Sequence, residues 1–302
     1  MTEVSVIIPT YNRAGSLGRA IGSVLGQTYR DLEVIVVDDG SSDHTAAVVA
    51  ALDDRRVQYL RHSGNRGAAA ARNTGLQHAA GRFIAFQDSD DEWLPEKLDL
   101  QVDVLDRASD KVGIVHTGFS RLSGGEPKTT AWLSKDLLSG DIGKQILGGN
   151  FIGTPTVLAR RECFERAGLF DTRLSQLEDW EMWIRIAQFS RATYVDRVLV
   201  HTHDLKDSLS ADLNTLISAH EYILEKHHGL FAEDRNTLAA ECYWIGNCLC
   251  RNGNMQRGRE FFLQALKGSP LGLKSLAGIL FSCLGRDVFV RMVGLREKIR
   301  QR

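Results

Sequence analysis

Five short, nearly continuous apolar runs, Val4 to Ile8, Glu33 to Val37, Val57 to Leu60, Arg82 to Phe86 and Val112 to His116, recur through the first 117 residues, with helical segments between them. Such runs read as strands buried on both faces, the habit of a parallel sheet. The clearest helical segment places Leu17, Ala20, Ile21, Val24 and Leu25 at i, i+3, i+4, i+7 and i+8, one apolar stripe to lay against that sheet. The alternation predicts an α/β fold, a mostly parallel sheet flanked by helices, with its ligand crevice outside the carboxyl ends of the strands. Polar motifs fall at those ends. The first run leads into Pro9-Thr10-Tyr11-Asn12-Arg13, the second into Asp38-Asp39-Gly40-Ser41-Ser42-Asp43, and the fourth into Gln87-Asp88-Ser89-Asp90-Asp91.

After about Gly118 the alternation loosens, with turn-rich stretches at Ser123-Gly124-Gly125-Glu126-Pro127 and Gly148-Gly149-Asn150. Beyond about Leu205 the strand signal stops and helical periodicity takes over. Residues 1–205 are therefore expected as one domain, in halves 1–117 and 118–205, and residues 206–302 as a small helical region. Within it Gly246, Gly253, Phe262, Ala265 and Pro270 fall at the offsets of a tetratricopeptide-like hairpin over about 239–270, with a helix on each side of Asn252-Gly253-Asn254. Such units need about three repeats to stand alone, so this one is expected to pack on the larger domain or on a partner.

Lys and Arg number 37 against 38 Asp and Glu, which excludes a global basic field for gathering nucleic acid. Five cysteines, Cys163, Cys242, Cys248, Cys250 and Cys283, are odd in number and irregular in spacing, which suits a reducing cytoplasm better than a disulfide framework, and Cys242, Cys248 and Cys250 read as small buried apolar residues of a helix rather than as a metal site. A strand-like segment begins at Val4 with no charged and apolar leader before it, so a cytoplasmic location is expected. Leu271 to Leu284 is interrupted by Lys274 and falls short of the roughly 20 residues of a spanning helix. Followed by Arg286, Arg291, Arg296, Lys298, Arg300 and Arg302, it reads either as a peripheral anchor at the inner face of a membrane or as a terminal helix with a solvated basic face.

The acidic cluster follows Phe83-Ile84-Ala85-Phe86 directly, so its carboxylates arrive at the end of a buried strand, where unpaired negative charge is costly. Hard oxygen ligands on a short turn suit Mg2+ or Mn2+, which take one or two carboxylates and complete their shell with water and phosphate. The competing reading is helix capping, with Asp90 or Asp91 at the start of a helix near Pro95.

Together Val4-Ser5-Val6-Ile7-Ile8-Pro9-Thr10-Tyr11-Asn12-Arg13, Val36-Val37-Asp38-Asp39-Gly40-Ser41-Ser42-Asp43, Asn65-Arg66-Gly67 with Ala71-Arg72-Asn73, and Asp88-Ser89-Asp90-Asp91 closely resemble the family 2 glycosyltransferases over about residues 3–205. The resemblance implies the GT-A fold and an inverting, metal-dependent transfer of a sugar from a nucleotide-diphosphate donor, UDP-linked by default. Residues 118–205 become the acceptor half. The resemblance implies that Asp39 and Tyr11 contact the base, with Pro9 and Thr10 shaping that pocket. Asp88 and Asp90 form the DxD signature, Asp90 as the direct metal ligand and Asp88 at the ribose or a metal-bound water, while Asp91 falls to the helix start. Arg66 or Arg72 faces the diphosphate.

Leu177-Glu178-Asp179-Trp180-Glu181-Met182-Trp183 resembles the family's acceptor-side motif, which implies Asp179 as the base, Glu178 as an acceptor contact and Trp180 as an acceptor platform; Trp183 suits a core-facing stripe. His203 is the candidate for a histidine that completes the metal shell, although Val200 and His201 stand where the family commonly has a tyrosine-arginine pair. The implied partners are a nucleotide sugar and a saccharide or lipid-linked saccharide acceptor of cell-surface polysaccharide or glycolipid synthesis. Two other readings stay open: a sugar nucleotidyltransferase, disfavoured by the single glycine in Pro9 to Gly15, and a non-catalytic scaffold using the helical hairpin.

Overall fold

A computed structural model describes residues 2–123, 126–129, 138–203, 212–268 and 272–300. Gly124, Gly125, Leu205, Pro270, Leu271 and Arg302, named above, lie outside the described residues, as do the side chains of Arg296, Lys298 and Arg300. Contacts divide the chain into a unit of Met1–Ser208 and a unit of Leu209–Arg302.

The first unit opens β1 (Val4–Thr10), α1 (Ala14–Leu25), β2 (Leu32–Asp38), α2 (Thr45–Ala50), β3 (Val57–Arg61), α3 (Ala68–His78) and β4 (Phe83–Phe86), each apolar run of the sequence becoming a strand. It continues through β5 (Glu92–Trp93), α4 (Lys97–Arg107), β6 (Val112–Ser123), β7 (Glu126–Thr129) and α5 (Gly143–Leu147). A 3-10 turn, Thr154–Thr156, then leads into β8 (Leu158–Arg160), α6 (Arg161–Ala167), α7 (Glu178–Ile186) and β9 (Arg191–His203). One mixed sheet runs β3-β2-β1-β4-β8-β6-β9-β5, with β7 on β6. The β1–β2, β2–β3, β1–β4 and β6–β9 ladders are parallel, so the sheet is mostly parallel, and the antiparallel pairings gather around β8, β7 and the short β5. This is the GT-A architecture expected from the sequence.

Alternate residues of β1, Val4, Val6 and Ile8, join Leu17, Ile21 and Val24 of α1 and Leu98, Val102 and Leu105 of α4 in the main core, which fixes one face of the sheet. Phe86 turns to the other face and meets Phe164 and Phe170 edge-on. With both faces covered, the strand ends are the positions left for polar chemistry.

The exits of β1 and β2 are laced together. Asn12 accepts from the Ser42 N–H at 2.8 Å, and Ser41 Oγ accepts from the Asn12 N–H at 2.8 Å. Asp43 accepts from the first residue of α1, Ala14 N–H, at 3.0 Å and from the Thr45 N–H that opens α2, also at 3.0 Å. Gly40 is required here. Its φ is +80°, and a Cβ would stand 2.8 Å from the Gly64 backbone, so only glycine lets the β2 exit press onto the loop before α3.

The second unit contains α8 (Leu213–Lys226), α9 (His228–Glu233), α10 (Arg235–Arg251), α11 (Met255–Gly268), α12 (Leu273–Ser282) and α13 (Arg286–Arg300). Asp212 and Asp234 cap α8 and α10 through their side chains. Helices α10 and α11 form the hairpin around Asn252-Gly253-Asn254. They cross closely: a Cβ on Gly246 would lie 2.9 Å from both the Gly258 carbonyl and the Phe262 ring. Cys242, Cys248 and Cys250 are buried as expected, and burial pushes their thiols and that of Cys163 up to about 11, whereas Cys283 is exposed. Among the described residues no helix is long and apolar enough to cross a membrane.

Candidate active site

At the β2 exit Asp39 is only 3 % exposed. One carboxylate oxygen accepts from His62 Nδ1 at 2.7 Å, both accept from the Arg66 N–H at 2.9 Å, and the second takes the Gly67 N–H at 2.7 Å. The carboxylate thus anchors the loop that opens α3, and a direct contact with a base needs one of these donors to give way. Asp38 is buried with the Tyr59 hydroxyl and the Ser41 N–H as donors. Tyr11, 44 % exposed, presents its ring at the β1 exit, while Pro9 is half-buried and Thr10 buried beneath it.

Arg72 sits on α3 but is only 5 % exposed, not on a solvated helix face. Its guanidinium donates to Asp88 Oδ1 at 3.0 Å and, in a shorter contact, to Glu178. Burial alone would lower the Arg72 pKa, but the Glu178, Asp88 and Asp179 carboxylates outweigh it and hold it above the ordinary value. Asp88 and Glu178 each take one of its N–H groups, while Nε is buried with no hydrogen-bond partner, so Arg72 bridges the two carboxylates. Arg66 is exposed. Asn73, next on α3, clamps the chain before α7 by donating to the Phe170 carbonyl at 2.9 Å and accepting the Phe170 N–H at 2.8 Å.

The β4 exit is short of partners. Burial, then repulsion from Asp88, raises the Asp90 pKa, with Arg13 in opposition. Arg13 Nε lies 4.0 Å from the Asp90 carboxylate and Arg19 donates to the Asp90 carbonyl at 2.6 Å, so α1 brings two cations to this turn. Neither was singled out from the sequence, because the i, i+6 pair is legible only once α1 is known to end against the acidic turn. Asp91 does not start a helix: β5 follows it and α4 begins at Lys97. It is buried, it accepts the His203 N–H at 3.2 Å, and burial together with Asp88 and Asp90 pushes its pKa up to about 9.

His203 closes β9 and pairs with β6, so it is a strand residue and not a loop histidine. Its Nε2 is buried without a hydrogen-bond partner, with Glu92 4.0 Å away, and burial followed by Arg19 lowers its pKa, which favours the neutral imidazole. Among the described residues no group of three His, Cys, Asp or Glu side chains converges to hold a metal ion.

Helix α7 begins after Leu177, a left-handed residue with φ 62°. Asp179 Oδ2 accepts the Thr154 hydroxyl at 2.7 Å and Oδ1 the Trp180 N–H at 2.7 Å. Asp179 lines a cavity of about 210 Å³ together with Asp88, Asp91, Phe119, Thr202 and the turn Gly153 to Thr156. Glu178 does not line it: its carboxylate faces Arg72, and burial, reinforced by Asp179 and opposed by Arg72, raises its pKa. Trp180 is 1 % exposed and donates its indole N–H to the Ile146 carbonyl at 2.6 Å. The expectations of an acceptor contact by Glu178 and an acceptor platform at Trp180 are therefore corrected, since an aromatic platform must show a face to its sugar. Trp183 is buried as expected.

A profile described as "Glycosyl transferase family 2" matches residues 5–166. An uncharacterized glycosyltransferase of Rickettsia conorii is 33 % identical over 222 residues, which are 73 % of this chain and 35 % of that protein. The chain thus spans about a third of the length of that relative. A UDP-Glc:alpha-D-GlcNAc-diphosphoundecaprenol beta-1,3-glucosyltransferase of Escherichia coli is 47 % identical over 102 residues, 34 % of this chain and 40 % of the relative. Among solved structures, S. aureus TarS 1-349 in complex with UDP-GlcNAc superposes with a TM-score of 0.68 at 18 % identity, covering 96 % of this chain and 92 % of TarS 1-349. The mannosyltransferase PcManGT of Pyrobaculum calidifontis, in complex with GDP-Man and Mn2+, does so with a TM-score of 0.63 at 22 % identity, covering 98 % of this chain and 86 % of that one. These structures share the fold, and the profile spans more than half of the sequence: the chain belongs to glycosyl transferase family 2.

Proposed function

We propose that the protein transfers a sugar from a UDP-linked donor to a hydroxyl of a saccharide or lipid-linked saccharide acceptor, with inversion at the anomeric carbon, in the synthesis of a cell-surface polysaccharide or glycolipid. The observation that carries this reading is the shared cavity: Asp88 from the β4 exit and Asp179 from α7 line one space. A donor-side and an acceptor-side carboxylate lining one cavity suit a single in-line displacement. Asp179 takes the proton of the acceptor hydroxyl as that oxygen attacks the anomeric carbon, and the nucleoside diphosphate leaves on the far side with the bonding pair. The Escherichia coli relative, a glucosyltransferase acting on a diphosphoundecaprenol-linked sugar, supports the acceptor class.

On the donor side Tyr11 stacks on the base over the pocket that Pro9 and Thr10 shape, and Asp39 holds the 65–67 loop as its wall. Arg13 and Arg19, with Arg66 at the rim, attract the diphosphate. Asp90, Asp88 and His203 are the residues that would hold Mg2+ or Mn2+. They fit such an ion: Asp88 and Asp90 are half-buried beside the buried Asp91, the three acids repel one another, and His203 Nε2 is a buried nitrogen with no hydrogen-bond partner. Among the described residues too few ligands converge to hold it alone, which suits an ion that shares its shell with phosphate oxygens. When bound, it would offset the charge that grows on the departing diphosphate.

Release of UDP from a panel of UDP-sugars, with a diphospholipid-linked N-acetylglucosamine as acceptor, tests the reading. Asp179→Asn is expected to keep UDP binding and to lose turnover by roughly 100-fold or more, the scale of general-base catalysis. Turnover unchanged in Asp179→Asn removes the base assignment.

The finer localisation rests on α12 and the turn after it, where Leu273, Leu276, Leu280 and Leu284 are exposed beside Lys274 and Arg286. An apolar row with basic flanks supports peripheral contact with an anionic membrane face. Flotation with anionic vesicles is expected for the full chain and reduced by Leu280→Glu; no flotation leaves the face to a protein contact.

A further inference from the structure

We propose that Thr154 is a positioning residue for Asp179, and that the short turn carrying it is gripped from α4 and β5 to hold its hydroxyl on that carboxylate. The inference rests on the reading of Asp179 as the base and names what sets its geometry.

Thr154 is 5 % exposed, and its hydroxyl donates to Asp179 Oδ2 at 2.7 Å. A buried threonine ordinarily satisfies its hydroxyl on a nearby backbone carbonyl, as Thr156 does with the Gly153 carbonyl at 2.6 Å. Thr154, two residues earlier, reaches across to α7 instead. The Trp180 N–H holds the other carboxylate oxygen, so two donors on two oxygens fix the plane of the Asp179 carboxylate at the cavity wall.

The turn itself hangs from buried polar groups. Trp93 donates its indole N–H to the Pro155 carbonyl at 2.9 Å. Gln101 donates to the Thr156 carbonyl at 2.9 Å and to the Val115 carbonyl at 2.9 Å. The Gln101 amide oxygen accepts from Lys97 Nζ at 2.8 Å, and Lys97 Nζ lies 3.8 Å from the centre of the Trp93 ring. Lys97 and Gln101 are fully buried. Polar side chains in a core are costly unless each is satisfied; here Trp93 and Gln101 hold the consecutive Pro155 and Thr156 carbonyls of a three-residue turn, and Lys97 holds Gln101. That arrangement makes the turn rigid where it meets the base.

In the displacement the acceptor proton passes to Asp179 as the new C–O bond forms and the diphosphate oxygen departs. Thr154 keeps its own proton throughout. Its role is to aim the free lone pair of Asp179 at the acceptor hydroxyl, so its loss affects the chemical step and not donor binding.

The test compares Thr154→Val, which keeps the shape and removes the hydroxyl, with Thr154→Ser, which restores it, and with Asp179→Asn. Turnover of UDP-glucose or UDP-N-acetylglucosamine with the lipid-linked acceptor is read alongside UDP binding by calorimetry. Thr154→Val is expected to lower kcat by about 10- to 100-fold, the scale of a hydrogen bond to a charged group, with donor KM and UDP affinity within about threefold. Thr154→Ser recovers turnover to within about threefold, since its hydroxyl can make the same bond. With Asp179→Asn inactive, wild-type kcat in Thr154→Val, or an equal loss in Thr154→Ser, overturns the positioning role while the base stands. Loss of UDP affinity in parallel with kcat makes the role structural and also overturns it. An active Asp179→Asn removes both.

Discussion

Two triplets of aspartate stand at strand exits of the same sheet, and their electrostatic situations are opposite. Asp38, Asp39 and Asp43 after β2 are each saturated by donors from the protein, mostly backbone N–H groups of neighbouring loops. Asp88, Asp90 and Asp91 after β4 have one arginine contact each for Asp88 and Asp90 and a single backbone N–H from β9 for Asp91, and the pKa values of Asp90 and Asp91 are raised. The first triplet builds the cradle, and under the proposed function the second receives a ligand. A carboxylate already satisfied in the folded chain contributes to stability, whereas one short of partners stores a cost that a cation can relieve.

The largest expected effect that could break this contrast is in the cradle. Asp39→Asn replaces an acceptor with an amide donor facing the Arg66 and Gly67 N–H groups, and should cost about 3 kcal/mol in urea unfolding. A change below about 0.5 kcal/mol, the range of an ordinary surface substitution, would show that the cradle is not held by this carboxylate.

The opposite sign is expected after β4. The folded chain holds the Asp91 proton more tightly than the unfolded chain does, so the contribution of Asp91 is fully present at low pH and is lost as pH climbs from the ordinary carboxylate range towards about 9. Asparagine does not titrate. Metal-free Asp91→Asn should match the wild type near pH 4 and exceed it by about 1 to 3 kcal/mol near pH 8, a difference read from paired thermal or urea melts. A destabilised Asp91→Asn at pH 8 would place Asp91 with the cradle triplet.

A smaller effect sharpens the role of the cradle. Tyr11→Ala should weaken UDP binding by about 3- to 10-fold and Tyr11→Phe should leave it near the wild-type value, since stacking needs the ring and not the hydroxyl. Equal losses in both would assign the phenol oxygen a contact of its own.

The strands that end in these triplets were legible because each apolar run is followed at once by its polar motif. The strand β8 was not: Leu158–Arg160 offers three residues, too few for a period, yet it lies between β4 and β6 in the middle of the sheet. Asp179 was legible as an acid at a helix start, whereas its partner Thr154 lies 25 residues away in a turn with no pattern of its own. Trp180 was assigned to an acceptor on the resemblance of its motif, but burial decides between ligand and core, and burial of a single residue is a property of the packed chain. Asp91 was read as a helix cap because Pro95 follows it closely; the two-residue β5 between them pairs with β9 and turns the carboxylate inward instead.

Calorimetry of UDP binding, with and without Mn2+, to the wild type and to Asp90→Ala tests the receptive triplet most directly. The account predicts that Mn2+ tightens UDP binding at least about 10-fold in the wild type, that Asp90→Ala abolishes this gain, and that Asp179→Asn retains it. UDP affinity that is indifferent to Mn2+ in the wild type, or a gain from Mn2+ that survives in Asp90→Ala, would contradict it.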